Sequence, residues 1–240
     1  MKIEKFSDLH EISAVLASNL TSDLINKVRN SEYFSIALSG GSTPNELYRL
    51  INSKLMQSKI DFSDYLGICQ IDERWVSSDH DRSNQLMIKN TMPFTSYLDH
   101  YIPIPITDSF SEINEAVKQY EVLIKGLIDK FNFIDIGIFG MGSDGHTASL
   151  FPNENILKSL EGRFVVSGFI GSQDEFRISI TPTFMKLIKR KILLITGSIK
   201  GQVLRNAVTS NNYELYPVLF AIDQTTSIFM DEAAYNEYKK

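Results

Sequence analysis

The chain has 240 residues, 43% of them hydrophobic and 22% charged, the make-up of an ordinary globular domain, which excludes disordered and collagen-like chains. Its 24 basic and 29 acidic residues leave a net charge of -5 with no dense Lys/Arg block, so neither nucleic acid nor an anionic membrane surface is an expected partner. No apolar run approaches the roughly 20 residues of a membrane-spanning helix, and MKIEKFSDLHE at the start lacks the apolar core of a secretory signal. A cytoplasmic location is expected, and the single cysteine, Cys69 in the run YLGIC, reads as a buried structural thiol.

In chain order, short β-rich runs alternate with longer amphipathic patterns. A helix is expected over 7–29, a strand at YFSIALS (33–39), a helix over 44–57, and strands at YLGICQI (65–71) and HYIPI (100–104). A helix over 111–129 follows, then strands at FIDIGIFG (133–140), RFVVSGF (163–169), RISIT (177–181) and KILLIT (191–196), a helix over 199–208, and a last strand at PVLFAI (217–222). IDIGIF and ILLIT are continuously apolar, as strands are when helices cover both faces. Without repeats or a Gly/Pro/Ser-rich linker, the pattern predicts one domain over 1–240, a three-layer αβα sandwich around a mainly parallel, Rossmann-like sheet. Ligands of such sheets sit beyond the carboxyl ends of the strands. The residues just after each run are therefore the candidates.

After IALS comes Gly40-Gly41-Ser42-Thr43-Pro44, opening the helix NELYRLI. Glycines allow a sharp turn with exposed amides, Ser42 or Thr43 can cap the helix, and Pro44 suits its first turn. Amides, hydroxyls and a helix dipole together suit a phosphate; a capped turn without a ligand is the other reading. No Gly-Lys-Ser/Thr follows, so this is not an NTPase loop. After YLGICQI comes Asp72-Glu73-Arg74-Trp75, where carboxylate and guanidinium side by side can orient a sugar hydroxyl and an oxyanion; a surface ion-pair cluster is the alternative. His80, in a polar stretch, reads as solvated, and His10 and His100 as structural.

After IDIGIF comes the most informative loop, Gly140-Met141-Gly142-Ser143-Asp144-Gly145-His146, followed by TASLFP. Its formal G-x-G-x-x-G, with Glu161 downstream, raises a dinucleotide site, but Pro152 denies the full helix which that fingerprint needs. Gly140, Gly142 and Gly145 instead suit amides wrapped around an oxyanion. His146 suits a general base, oriented by Asp144. No second His or Cys stands at ligand spacing, so neither a metal nor a cofactor is expected. Arg177 and Lys200, both at element ends, can reach a shared anion with the 40–44 loop.

SGGSTP, DERWV with RSNQ nearby, and GMGSDGHTASLFP together, in this order and spacing, resemble the short-type 6-phosphogluconolactonases over roughly residues 33 to 205. The resemblance implies an isomerase/CoA-transferase-like version of the fold and hydrolysis of 6-phosphoglucono-δ-lactone, a small sugar phosphate, by a monomer or weak homodimer. Residue by residue, it assigns His146 as the catalytic base, Gly41, Ser42 and Thr43 to the phosphate loop, Arg74 to the active site, and Arg177 and Lys200 to the phosphate. The segment before Arg177, often proline-rich in the family, reads SGFIGSQDEF here. The related glucosamine-6-phosphate deaminases share a Gly-x-Gly-x-Asp-Gly-His loop but continue Ile-Ala-Phe-Asn-Glu-Pro; Phe151 stands here in place of their glutamate. A sugar-phosphate sensor without activity is the third alternative. Two points stay open: whether loop amides or Arg74 stabilise the oxyanion, and whether Asp72 contacts a substrate hydroxyl or pairs with Arg74.

Overall fold

The computed structural model describes residues 1–106 and 112–240. The elements are β1 (Lys2–Lys5), α1 (Leu9–Arg29), β2 (Phe34–Leu38), α2 (Asn45–Ser58), β3 (Leu66–Gln70), β4 (Asp72–Arg74), α3 (Asn84–Thr91) and β5 (His100–Ile102). They continue with α4 (Ile113–Phe131), β6 (Ile134–Gly140), β7 (Val165–Ile170), β8 (Glu175–Ile180), α5 (Pro182–Met185), β9 (Ile188–Ile195), α6 (Ser198–Ser210), β10 (Thr226–Met230) and α7 (Glu232–Tyr238). The expected helix start at Ser111 lies outside the described residues.

Among the described residues, seven strands form one parallel sheet in the order β1-β10-β9-β6-β2-β3-β5. Successive side chains leave a strand on opposite faces, and both faces are covered. Ile36, Leu38, Ile192 and Leu194 pack into one core with α1 and α2, whereas Ala37, Leu193 and Ile195 pack into the other with α4 and α6. This is the expected three-layer α/β arrangement, and the continuous apolar runs are its cause. From β2 the order runs outward through β3 and β5, then returns to β6 on the other side of β2. The chain therefore reverses direction between β2 and β6, and a crevice opens there at the carboxyl ends.

Three expectations are corrected. PVLFAI is not a strand: Pro217–Ala221 is a 3-10 helix with proline in its first turn, and the neighbouring strand is formed by Thr226–Met230. RFVVSGF and RISIT do form strands, but outside the parallel sheet; β7 and β8 pair antiparallel, and β8 pairs antiparallel with β4. Asp72–Arg74, read as a loop, is therefore a strand of this second, smaller sheet, whose hydrogen bonds come from residues a hundred positions away.

Cys69 is buried in the core, where loss of solvent pushes its thiol up to about 12. Among the described residues, no helix is long and apolar enough to cross a membrane.

Candidate active site

Loops from β2 and β6, the start of α6, and the edge of the small sheet enclose a cleft of about 210 Å³. It brings together Gly40 to Thr43, Asp72, Arg74, Gly140, Gly142, His146, Arg177 and Lys200. Asp144 and Gly145 stand in the same β6 loop. Asn84, which the residue-by-residue reading passed over, also lines the cleft.

The β6 loop is built around its glycines. The amide of Gly142 donates to the His146 carbonyl at 2.9 Å, and that of Gly145 donates to the Gly142 carbonyl at 3.1 Å. Gly145 has φ +88°, a left-handed conformation that a side chain resists. Its carbonyl accepts from Val218 at 2.9 Å, so the 3-10 helix misread as a strand anchors the loop. The Thr147 hydroxyl closes the turn on the Gly140 carbonyl at 2.8 Å.

His146 Nδ1 lies 2.6 Å from Asp144 Oδ1. A carboxylate can only accept, so Nδ1 carries the proton and Nε2 the lone pair. Burial pushes the Asp144 carboxyl up, but its bonds to the His146 ring and backbone outweigh this and hold it below the usual carboxylate value. Phe151 stacks on the imidazole, 4.1 Å between centroids at 23°.

Arg74 of β4 and Arg177 of β8 are cross-strand partners. Facing like charges are destabilising unless compensated. Glu175 forms ion pairs with both Arg177 and Arg82. Arg74 Nη1 donates to the Arg82 carbonyl at 2.8 Å and to Asn84 Oδ1 at 2.7 Å. The Nε groups of both arginines are buried with no hydrogen-bond partner among the described residues. Burial lowers the Arg177 pKa from the usual arginine value, with Asp72 opposing. Two orphaned cationic donors side by side are a demand for an anion.

Asp72 is buried, and its Oδ2 accepts from the Ser149 hydroxyl at 2.7 Å. Among the described residues it forms no ion pair with Arg74.

The phosphate-loop candidates differ from expectation in one respect. Pro44 occupies the N-cap of α2, and no side chain caps it, so neither Ser42 nor Thr43 does so. Ser42 and Thr43 line the cleft at the start of α2, a helix end whose dipole favours an anion, while the first amide of the helix, that of Asn45, donates to the Ser42 carbonyl at 3.3 Å. Lys200 in the first turn of α6 is half-buried, and among the described residues it makes no ion pair. Burial lowers its pKa, and the charge of Asp144 opposes this. His80 is exposed, His10 pairs with Glu46 on the surface at 2.5 Å, and His100 contacts Lys130 at 2.6 Å; none of the three lines the cleft. Among the described residues, no three His, Cys, Asp or Glu side chains are grouped to hold a metal ion.

The chain is similar to the 6-phosphogluconolactonase of Nostoc sp., at 30% identity over 94% of each sequence. It is likewise similar to that of Xylella fastidiosa, at 28% identity over 91% of this chain and 90% of the relative. Among solved structures, a 6-phosphogluconolactonase from Shewanella baltica superposes with a TM-score of 0.81 at 25% identity, covering 96% of this chain and 97% of that one. A monomeric glucosamine-6-phosphate deaminase superposes at 0.78 over 99% of this chain and 100% of its own, and at 18% identity shows a shared fold only. The profile of the family described as glucosamine-6-phosphate isomerases/6-phosphogluconolactonase matches residues 7–230, and the chain belongs to that family.

Proposed function

We propose that the chain hydrolyses 6-phosphoglucono-δ-lactone to 6-phosphogluconate, the second step of the oxidative pentose phosphate pathway. The observation that supports this is the Asp144–His146 pair, whose Nε2 has no hydrogen-bond partner among the described residues, in one cleft with three cations. His146 Nε2 takes a proton from water as the water oxygen attacks C1. The tetrahedral intermediate then collapses, the bond from C1 to the ring oxygen breaks, and the imidazolium returns its proton to that oxygen. The new carboxylic acid loses its proton to solvent. A positioned base contributes about 10²- to 10⁴-fold.

The loop amides of Gly142 and Gly145 are already engaged within the loop. Arg74, with an unpartnered Nε, supports the reading that it is the oxyanion donor. Gly40, Gly41, Ser42, Thr43, Arg177 and Lys200 take the phosphate, whose binding energy fixes the distance between lactone and base. Asp72, next to the cleft, takes a sugar hydroxyl. Phe151 in place of a glutamate argues against a deaminase, because an apolar ring then stacks on the histidine where the deaminases carry that carboxylate. We further infer a cytoplasmic protein working as a monomer or weak homodimer; the single buried thiol suits a reducing compartment.

The test is hydrolysis of freshly made 6-phosphogluconolactone above its spontaneous rate. The protein is expected to accelerate it, the unphosphorylated lactone is expected to be a poor substrate, and His146→Ala is expected to lose at least about two decades of kcat. Ammonia release from glucosamine 6-phosphate, or no turnover of either compound, refutes the assignment.

A further inference from the structure

We infer that Asn84 is a positioning residue, which holds the Arg74 guanidinium in the orientation that oxyanion stabilisation needs, and that Gly40 is glycine to make room for it. The inference rests on the reading of Arg74 as oxyanion donor.

Asn84 opens α3 and is 1% exposed. Its backbone is clamped to the strand that carries Arg74. The buried Glu73 carboxylate accepts from the amides of Asn84 at 2.7 Å, Gln85 at 2.8 Å and Arg74 at 2.9 Å. A carboxylate at these first amides also meets the positive end of the helix. The start of α3 and β4 therefore move as one unit.

The carboxamide is oriented by chemistry alone. Arginine only donates, so Oδ1 faces Arg74 Nη1 at 2.7 Å; a carbonyl only accepts, so Nδ2 faces the Asp72 carbonyl at 2.8 Å. One side chain thus ties the guanidinium to the backbone of its own strand two residues back. A long, flexible arginine loses its rotamer freedom before the substrate arrives, which is what preorganised charge stabilisation requires.

Gly40 supplies an independent observation. A Cβ there would lie 1.7 Å from Asn84 Oδ1 and 2.1 Å from its Cγ, yet the φ of Gly40 is not positive. Space, not backbone conformation, demands glycine. The first residue of the phosphate loop is thereby coupled sterically to the arginine network.

The experiment is a pair of double-mutant cycles on the intact chain, with kcat and KM for 6-phosphogluconolactone measured on variants whose folding is verified by circular dichroism. Arg74→Ala is expected to lower kcat about 10²- to 10³-fold; retention of wild-type kcat refutes the Arg74 reading and, with it, this inference. Asn84→Ala is expected to lower kcat about tenfold or more with little change in KM, and Arg74→Ala/Asn84→Ala is expected to match Arg74→Ala alone. Gly40→Ala, which displaces the carboxamide without deleting it, should reproduce the Asn84→Ala defect and add nothing to it, even if Asn84→Ala itself folds poorly. Multiplicative losses in either cycle, or an Asn84→Ala defect confined to KM, overturn the positioning role while leaving the Arg74 reading intact.

Discussion

The imidazole of His146 lies nearly parallel to the ring of Phe151, 4.1 Å between centroids, while its Nδ1 is tied to Asp144 at 2.6 Å. One contact fixes the plane of the ring and the other its rotation within that plane. The guanidinium carbon of Arg177 also lies 5.3 Å from the Phe151 centroid, so one buried aromatic touches both the imidazole and a cation of the cleft.

Replacing Phe151 with leucine keeps an apolar side chain but removes the stack. Such contacts are worth about 0.5–1.5 kcal/mol, so kcat should fall by at most about tenfold while KM rises modestly through Arg177. Steady-state kinetics check this, and an unchanged kcat would show that Asp144 alone orients the ring.

Asp144→Asn offers His146 a group that both donates and accepts, so the Nδ1 proton is no longer specified, and kcat should drop about 10- to 10²-fold. The sign with pH follows from the carboxyl's lowered pKa. Its charged form persists across neutral and mildly acidic conditions and is lost only as pH falls through that depressed value. The ratio of wild-type to variant activity should therefore shrink as pH falls below about 4, where the carboxylate charge is lost. A ratio that stays unchanged as pH falls through that acidic range would contradict the assignment.

Gly142→Ala tests the same pair sterically. An added Cβ would lie 2.2 Å from His146 Nδ1 and 2.4 Å from Asp144 Oδ1, so the two side chains cannot keep their contact. The kcat of this variant should approach that of Asp144→Asn, and the double variant should be no worse than the weaker single.

At the opposite end of the sheet, the fully buried Lys191 meets Asp223 Oδ2 at 2.8 Å and Thr225 Oγ1 at 2.8 Å. Burial pushes the Asp223 carboxyl up, but the Lys191 and Thr225 bonds prevail and bring it down to about 2. Asp223→Asn strands a buried ammonium and should cost about 1 kcal/mol or more in denaturant unfolding at neutral pH, after allowing for the solvent exposure of Asp223. Because the folded pKa is depressed, that stabilisation is fully present above the ordinary carboxylate value and fades as pH falls toward 2. Equal stability of the two proteins at pH 7 would show that water satisfies Lys191.

The parts of the molecule legible in the sequence are those whose signal is local. IDIGIF and ILLIT announce strands covered on both faces because every residue in them except Thr196 is buried, and glycine, proline and hydroxyl residues after a strand mark a turn whatever surrounds it. The 40–44 and 140–146 loops, with His146 in the second, are therefore legible in the sequence. The small sheet was not legible, because the three residues of β4 carry no pattern of their own and exist as a strand only where β8 arrives to pair with them. PVLFAI misled for a related reason: an apolar run can be buried as a strand or as a 3-10 helix, and only its neighbours decide which. The buried contacts of Asp72 and Asn84 have the same origin. The sequence by itself determined the layered fold, the strand-end loops and the place of His146 in one of them. Tertiary structure alone decided which donors remain unpartnered, since a hydrogen bond between distant residues leaves no trace in the local order of either.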